Sequence, residues 1–229
     1  MLNFGLGWFG AAKMPDTGKR RRIFQKIYRN NAWGDPETVS GPGSNVARAS
    51  LFRAEFEALV RDLGIRTLLD APCGDFNWIG HFDLPVERYI GVDIVPELVL
   101  ANRAKVQSER HHFMTADIVC DPLPRADLIL CRDALIHLRL DEILAALGNF
   151  RQSGSTWLLT NTWIDHPDNS DVATGDWRTL NLEAPPFDFP PPVRMVDEQC
   201  FAGGGAYRDK RLALWNIATL PLSSSGKPG

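Results

Sequence analysis

The sequence predicts an α/β protein on a doubly wound, mostly parallel seven-stranded sheet, with an antiparallel strand pair at the C-terminal end. Two observations predict it. From residue 65 onward, short apolar runs alternate with amphipathic helical segments, the pattern of parallel strands buried on both faces and joined by right-handed crossovers. Near the C-terminus the alternation stops, and two strand-like runs, "VRMVDEQC" and "RLALWNIATL", are joined by the Gly-rich "FAGGGAYRDK".

The elements follow in order. Residues 17–30 read as a short helix with Ile23, Phe24, Ile27 and Tyr28 on one side. The stretch 31–44 is broken by Gly34, Pro36, Gly41, Pro42 and Gly43. Ser44 or Asn45 can cap the next helix, where Leu51, Phe52, Phe56, Leu59, Val60 and Leu63 recur at helical spacing and Gly64 ends the run. "TLLD" is the first strand, followed by a short helical turn. "RYIGVD" is the second, and "PELVLANRAKVQ" after it is a helix with Pro96 in its first turn. "HFMTAD" and "ADLILC" are the third and fourth strands, "DALIHL" and "LDEILAALGNF" are helical, and "STWLLTNTW" is the fifth strand. A long aperiodic stretch with "PPF" and "FPPP" precedes the C-terminal pair and reads as an ordered cover. The expected organisation is an N-terminal helical extension and linker (1–44), a catalytic domain (45–222) whose residues 162–191 form a substrate-side loop, and a flexible tail (223–229).

Composition narrows the function classes. A 44% hydrophobic and 23% charged chain is that of a folded protein, and the net charge of −3 offers no general attraction to nucleic acid. Four dispersed cysteines without a C-x-x-C pair argue against a zinc ribbon and fit a reducing, cytoplasmic setting; His111, His112 and Cys120 match no standard metal spacing, so no metal is expected. "MLNFGLGWFGAAKM" lacks the basic start and cleavage site of a signal peptide and is too short to span a bilayer. "KRRR" (Lys19 to Arg22) reads as a solvated helix start or a mobile basic arm. Oligomeric state is not readable.

In an open parallel sheet the ligand lies beyond the carboxyl ends of the strands, where strand order reverses. Acids stand at that place in four consecutive units: Asp70, Asp93, Asp117 and Asp133. Asp93, about 20 residues after the first turn, is placed to accept hydrogen bonds from both hydroxyls of a ribose. The first turn, Asp70-Ala71-Pro72-Cys73-Gly74-Asp75, has one glycine and an acid. It is therefore poorly suited to the pyrophosphate of a nicotinamide cofactor and well suited to a cationic ligand. Gly74 lets the backbone pass close to a ligand, and Asp75 can cap a following helix. An adenosine carrying an amino acid and a positive sulfur, S-adenosylmethionine, meets these conditions.

Residues 65–165 resemble the class I S-adenosylmethionine-dependent methyltransferases. The resemblance rests on Asp70-Ala71-Pro72-Cys73-Gly74-Asp75-Phe76, on Asp93 at the end of the second strand, on Ala116-Asp117-Ile118 after the third, and on "DLILCRDALIHL" around the fourth. It extends to an uncharacterised subgroup with "SGPGS" (Ser40 to Ser44) before the core and "TGDWRTLNL" after it. The resemblance implies that backbone around Asp70 to Gly74 holds the methionine part, Asp93 the ribose, and Ile94 the adenine. It further implies that Asp117 accepts from the adenine amino group, that Ile118 packs on the ring, and that Cys131 and Arg132 line the cofactor near sulfur. Pro72 and Phe76 replace two usual glycines. Either the turn is pre-stiffened and Phe76 or Trp78 packs on the ligand, or cofactor binding is weak.

Methyl transfer is an in-line displacement, so the protein's task is alignment; an oxygen acceptor also needs a base within hydrogen-bond reach. Asp133 and His137, four apart on one helix face, are the candidates. His137 serves as base or as packing under the cofactor; Asp133 serves as base or as orienter of the acceptor. Asp176, Trp177 and Arg178 could close over the acceptor or pack against the sheet, and Trp33 with the Ser40–Ser44 loop could form the opposite wall or a linker. The expected acceptor is a small molecule or glycan, methylated on a hydroxyl of a sugar or metabolite, with no nucleic acid and no membrane span. The alternative is an inactive cofactor-binding or scaffold protein on the same fold.

Overall fold

The structure, a computed structural model, describes residues 16–222. The apolar N-terminal run and the tail 223–229 lie outside the described residues, as does the question of a leader.

Helix α1 (Thr17–Arg29) starts at Asp16, whose side chain accepts from the Lys19 N–H at 3.0 Å. The single helix expected over 45–63 is two: α2 (Val46–Ala49), capped by Asn45, and α3 (Arg53–Asp62). The Ser50 hydroxyl donates back to the Val46 carbonyl at 2.8 Å and the chain turns there, leaving Leu51 exposed rather than in the core. Gly64, at φ +60°, ends α3 as expected.

The sheet comprises β1 (Thr67–Asp70), β2 (Arg88–Asp93), β3 (His111–Thr115), β4 (Leu128–Cys131), β5 (Trp157–Trp163), β6 (Arg194–Asp197) and β7 (Lys210–Asn216), in the order β3-β2-β1-β4-β5-β7-β6. Strands β1 to β5 are parallel; β7 runs antiparallel to both β5 and β6. The C-terminal pair thus does not simply append a hairpin: β7 inserts beside β5 and leaves β6 outermost. Strand order reverses between β1 and β4, which is where a crevice opens in such a sheet.

Side chains alternate between two cores. Leu69, Val92, Ile129 and Leu158 pack with helix α5 (Leu140–Gln152) on one face. Leu68, Tyr89, Leu128 and Leu159 pack with α3 and with Val99 of α4 (Pro96–Lys105) on the other. This is the double-wound arrangement that continuous apolar strands require. "DALIHL" forms only a 3₁₀ turn over Leu135–His137, and the segment after β1 only a 3₁₀ turn over Ile79–His81. The loop after β5 begins at residue 164 and is an ordered cover, with Leu180, Leu182, Phe187 and Phe189 buried. Among the described residues no helix is long and apolar enough to cross a membrane.

Candidate cofactor cleft and adjoining cavity

The four strand-end acids meet. Asp70, Asp93, Asp117 and Asp133 all line one cleft at the carboxyl ends of β1 to β4, enclosing about 940 Å³ with its open mouth included. Pro72, Cys73, Gly74, Trp78, Ile94, Ala116, Ile118 and Arg132 line it too, as the sequence leads one to expect. The first turn is held by backbone bonds: the Cys73 N–H donates to the Val92 carbonyl at 2.8 Å, and Asn102 Nδ2 donates to the Gly74 carbonyl at 2.8 Å. Gly91 in β2 makes room for it, since a Cβ there would lie 2.9 Å from Cys73 Sγ.

Asp93 accepts from the N–H groups of Gly74 (3.2 Å) and Val95 (2.8 Å), so the turn and the next loop fix its orientation. Burial nevertheless raises its carboxyl to about 6. Asp70 accepts from the Tyr89 hydroxyl at 2.5 Å, and burial pushes it up to about 7 against the pull of Tyr89 and Arg132. A cleft floored by reluctant carboxylates favours a ligand that brings positive charge.

Several expectations fail. Phe76, at φ +56°, packs edge-on against Tyr89 (5.0 Å) and Phe113 (5.3 Å) in the core of the opposite face, so it cannot touch a ligand in the cleft. Ala71 and Cys131 are fully buried in the sheet core and do not line the cleft. Asp75 caps no helix. Its carboxylate accepts from Thr38 Oγ1 (2.7 Å), the Val39 N–H (3.1 Å) and Ser40 Oγ (3.0 Å), tying the preceding loop to the turn. Gly74 (φ +53°) is required by that same loop, since a Cβ there would lie 2.3 Å from Ser40 Oγ.

The largest correction concerns α1, which is neither an outlying extension nor a free basic arm. Arg20 is 2% exposed and its guanidinium bridges two acids: Nε and Nη2 donate to Asp117 (2.9 and 2.7 Å), and Nη1 donates to Glu142 at 2.6 Å. Asp117 is therefore already paired and is not a free acceptor for an adenine amino group. Arg20, Phe24 and Tyr28 line the cleft as its roof. The signal was present in the sequence: Arg20 lies three and four residues before Ile23 and Phe24 and seven before Ile27, on the helix's apolar face.

The Ser40–Ser44 loop is a wall. Gly43 abuts Asp133, where a Cβ would lie 2.3 Å from Oδ2, and its carbonyl accepts from Arg132 Nη1 at 2.7 Å. Beyond this wall a second cavity, about 1370 Å³ on the same measure, shares Trp33, Ser40, Arg132, Asp133 and His137 with the cleft. Trp163, Trp177 and Tyr207 form its aromatic side. Trp177, 45% exposed, packs edge-on against Trp163 (6.3 Å) and Tyr207 (5.2 Å).

Asp133 and His137 both reach this junction, but not from a helix face. Asp133 sits in a loop at φ +51°, its N–H bonded to Asn161 Oδ1, and His137 ends the 3₁₀ turn. Burial opposes ionisation of Asp133, yet Lys210 (2.6 Å) and Arg132 (3.4 Å) outweigh it and hold the carboxyl at about 2. So held, Asp133 is a poor base and a good fixed anion. Lys210 and Arg132 also pair with Glu198, at 2.8 and 2.5 Å. These four charges cancel. The sequence does not mark Lys210 and Glu198, which come from β7 and from just past β6, remote in sequence from the strand-end acids.

His137 is 9% exposed, and its ring stacks on Trp33 with centroids 4.9 Å apart. Nδ1 lies 2.8 Å from the Asp176 carbonyl, which can only accept, so Nδ1 carries the proton and Nε2 is the free acceptor nitrogen. Burial lowers its pKa, keeping the imidazole neutral. Asp176 thus contributes its backbone rather than its side chain. Arg178 is buried and donates to the Leu135 and Ile136 carbonyls (3.2 and 2.6 Å), bracing the 3₁₀ turn; it lines neither the cleft nor the second cavity. Among the described residues no group of His, Cys, Asp and Glu is placed to hold a metal.

Strand order, the reversed β7 and the crevice between β1 and β4 are those of the class I methyltransferase fold. No family model matches the sequence, and no curated protein matches it. Solved structures do. The chain is similar to magnesium protoporphyrin IX methyltransferase from Synechocystis, at 17% identity over 67% of this chain and 74% of that one, with a TM-score of 0.46. It is similar to a putative methyltransferase in complex with the Haloferax volcanii Trm112 activator, at 13% identity over 70% of each chain and a TM-score of 0.47. It is also similar to the N-methyltransferase NodS from Bradyrhizobium japonicum, at 13% identity over 60% and 73% and a TM-score of 0.45.

Proposed function

We propose that this protein is an S-adenosylmethionine-dependent methyltransferase acting on a hydroxyl of a small polar acceptor, a sugar or metabolite. The observation that carries the reading is the meeting of the acid-floored cleft with a second cavity at one point, occupied by Asp133, His137 and Trp33. The residues present fit the cofactor. Asp93 is oriented for vicinal hydroxyls, Ile94 and Ile118 offer apolar surface for a purine, and the Pro72–Gly74 backbone with Asp70 faces the amino-acid end. When bound, the cofactor supplies an electrophilic methyl group on a sulfonium.

The chain's own residues supply alignment and proton removal. The acceptor lies in the second cavity, and His137 takes the hydroxyl proton at Nε2, its tautomer fixed by the Asp176 carbonyl. Asp133, locked by Lys210 and Arg132, orients the acceptor by accepting a hydrogen bond. The roof of α1 and the stacked Trp33 exclude water.

Calorimetric titration with S-adenosylmethionine and S-adenosylhomocysteine tests the cofactor. Binding of both to the wild type, lost in Asp93→Ala, is the expected result. No binding at millimolar ligand removes the enzyme reading in favour of a scaffold.

A further inference from the structure

Resting on the cofactor reading above, we propose that Glu142 is a positioning residue that couples closure of the cofactor cleft to the orientation of His137. Glu142 opens helix α5 and lies outside both the cleft and the second cavity. One of its oxygens receives Arg20 Nη1 at 2.6 Å, and so secures the helix that roofs the cleft. The other receives Thr174 Oγ1 at 2.6 Å, and so secures the loop after β5.

That loop is what holds the imidazole. The Gly175 N–H donates to the His137 carbonyl at 2.8 Å, and the Asp176 carbonyl receives His137 Nδ1 at 2.8 Å. Gly175 also seats directly on α1: at φ +97° it would, with a Cβ, meet Ile23 Cγ2 at 2.7 Å and Ile27 at 3.3 Å. Roof helix and loop are in contact across residues with no slack, and one carboxylate bonds to both. Raising α1 to admit a ligand breaks the bonds of Arg20 and disturbs Glu142. Lowering it restores the pull on Thr174 and, through Gly175 and Asp176, on His137.

The arrangement gives the carboxylate a purpose its place in the fold does not require. The helix start asks of it only the Arg139 N–H, which it accepts at 3.2 Å to close the capping box. Glu142 reaches in addition to two segments 122 and 32 residues distant. The consequence is that the base keeps its working orientation only while the roof helix is docked, so displacing α1 unsets His137.

The test needs no acceptor. Two variants, Glu142→Gln and Thr174→Val, are compared with the wild type by calorimetric titration with S-adenosylhomocysteine and by ¹⁵N-histidine spectra recorded across pH. In the wild type, saturating S-adenosylhomocysteine is expected to hold α1 docked and so to sharpen the His137 Nδ1–H signal, whose tautomer the Asp176 carbonyl already sets. Thr174→Val keeps ligand affinity within about twofold, because Arg20 retains its charged partners, whereas His137 ceases to respond to ligand. Its titration moves to lower pH as the Asp176 hydrogen bond loosens; Asp133, Arg178 and Lys210, the charges that face the ring, are the same in both proteins. Glu142→Gln loses both effects, with affinity down roughly tenfold for the lost charge-assisted bond. If His137 responds to the ligand identically in the wild type and Thr174→Val, the coupling is overturned while the cofactor reading stands. If the wild type does not bind S-adenosylhomocysteine, both fall.

Discussion

Asp70 makes cofactor affinity depend on pH in a direction the structure fixes. Its carboxyl is raised from 3.8 to about 7, first by burial and against its hydrogen bond from Tyr89. A ligand carrying fixed positive charge near the Pro72–Gly74 turn is bound by the ionised form, so it must drive off the proton at low pH. With a pKa near 7, lowering pH from about 8 to about 5.5 weakens binding about thirtyfold through Asp70 alone. Asp93, raised to about 6, adds roughly fourfold more on the same arithmetic. S-Adenosylmethionine titrated calorimetrically across that range should show the whole effect. Methylthioadenosine, which keeps the ribose but carries no charge, should show only the smaller part. Asp70→Asn should flatten the larger part. The same group acts on stability with the opposite preference. Because its folded pKa lies above the unfolded value, its contribution is fully present below pH 3.8 and is lost as pH rises through about 7. At pH 8 the ionised, ligand-free protein therefore forgoes about 4 kcal/mol, an upper figure that Asp70→Asn should in part recover as a raised Tm. A flat profile for S-adenosylmethionine in the wild type, or an equal slope in Asp70→Asn, refutes the argument.

Gly43→Ala forces a methyl group to within 2.3 Å of Asp133 Oδ2, and should cost about 2 kcal/mol in urea denaturation while loosening the Asp133–Lys210 pair. Arg20→Ala strands Asp117, 1% exposed, without its cation; a loss of about 3 kcal/mol is expected, together with α1 amides that exchange rapidly with deuterium even when ligand is bound. With an acceptor identified by screening, His137→Asn should lower kcat by about a hundredfold with little change in the affinity for S-adenosylmethionine.

The parallel core was legible because its signals are local. An apolar run that ends on an acid marks a strand edge, as in β1 and β2, and in β3 and β4 the acid stands two residues beyond the end. The cleft acids were legible for the same reason: each is the last residue of its strand or lies just beyond it. What was not legible depends on contacts between distant segments. Phe76 follows the turn directly, yet its left-handed backbone sends the ring to the far face, where Tyr89 and Phe113 receive it. Asp133 and His137 are four residues apart, but the chain between them makes one 3₁₀ turn rather than the α-helical face their spacing suggests. Helix α1 is legible as a helix, but its docking hangs on Arg20, whose partners lie 97 and 122 residues away.

The C-terminal strands show why such long-range placement matters to the site. A five-stranded parallel sheet would leave Asp133 beside Arg132 only, with β5 as a bare edge. Inserting β7 antiparallel brings its first residue, Lys210, level with Trp163 at the end of β5, and so to the cleft end of the sheet. There Lys210 reaches Asp133, and β6 beyond it delivers Glu198 to balance the added charge. Without Glu198 the junction would hold two cations and one anion, and would repel a sulfonium arriving over Asp70. With it, the four charges cancel, and Asp133 is fixed as an anion without the junction as a whole carrying charge. On the proposed function, a neutral junction beside an acidic cleft would keep the positive ligand on the Asp70 side and leave the aromatic cavity to an uncharged acceptor. The reversed strand therefore sets the charge balance of the junction between the two cavities, and does not only cover the sheet's edge.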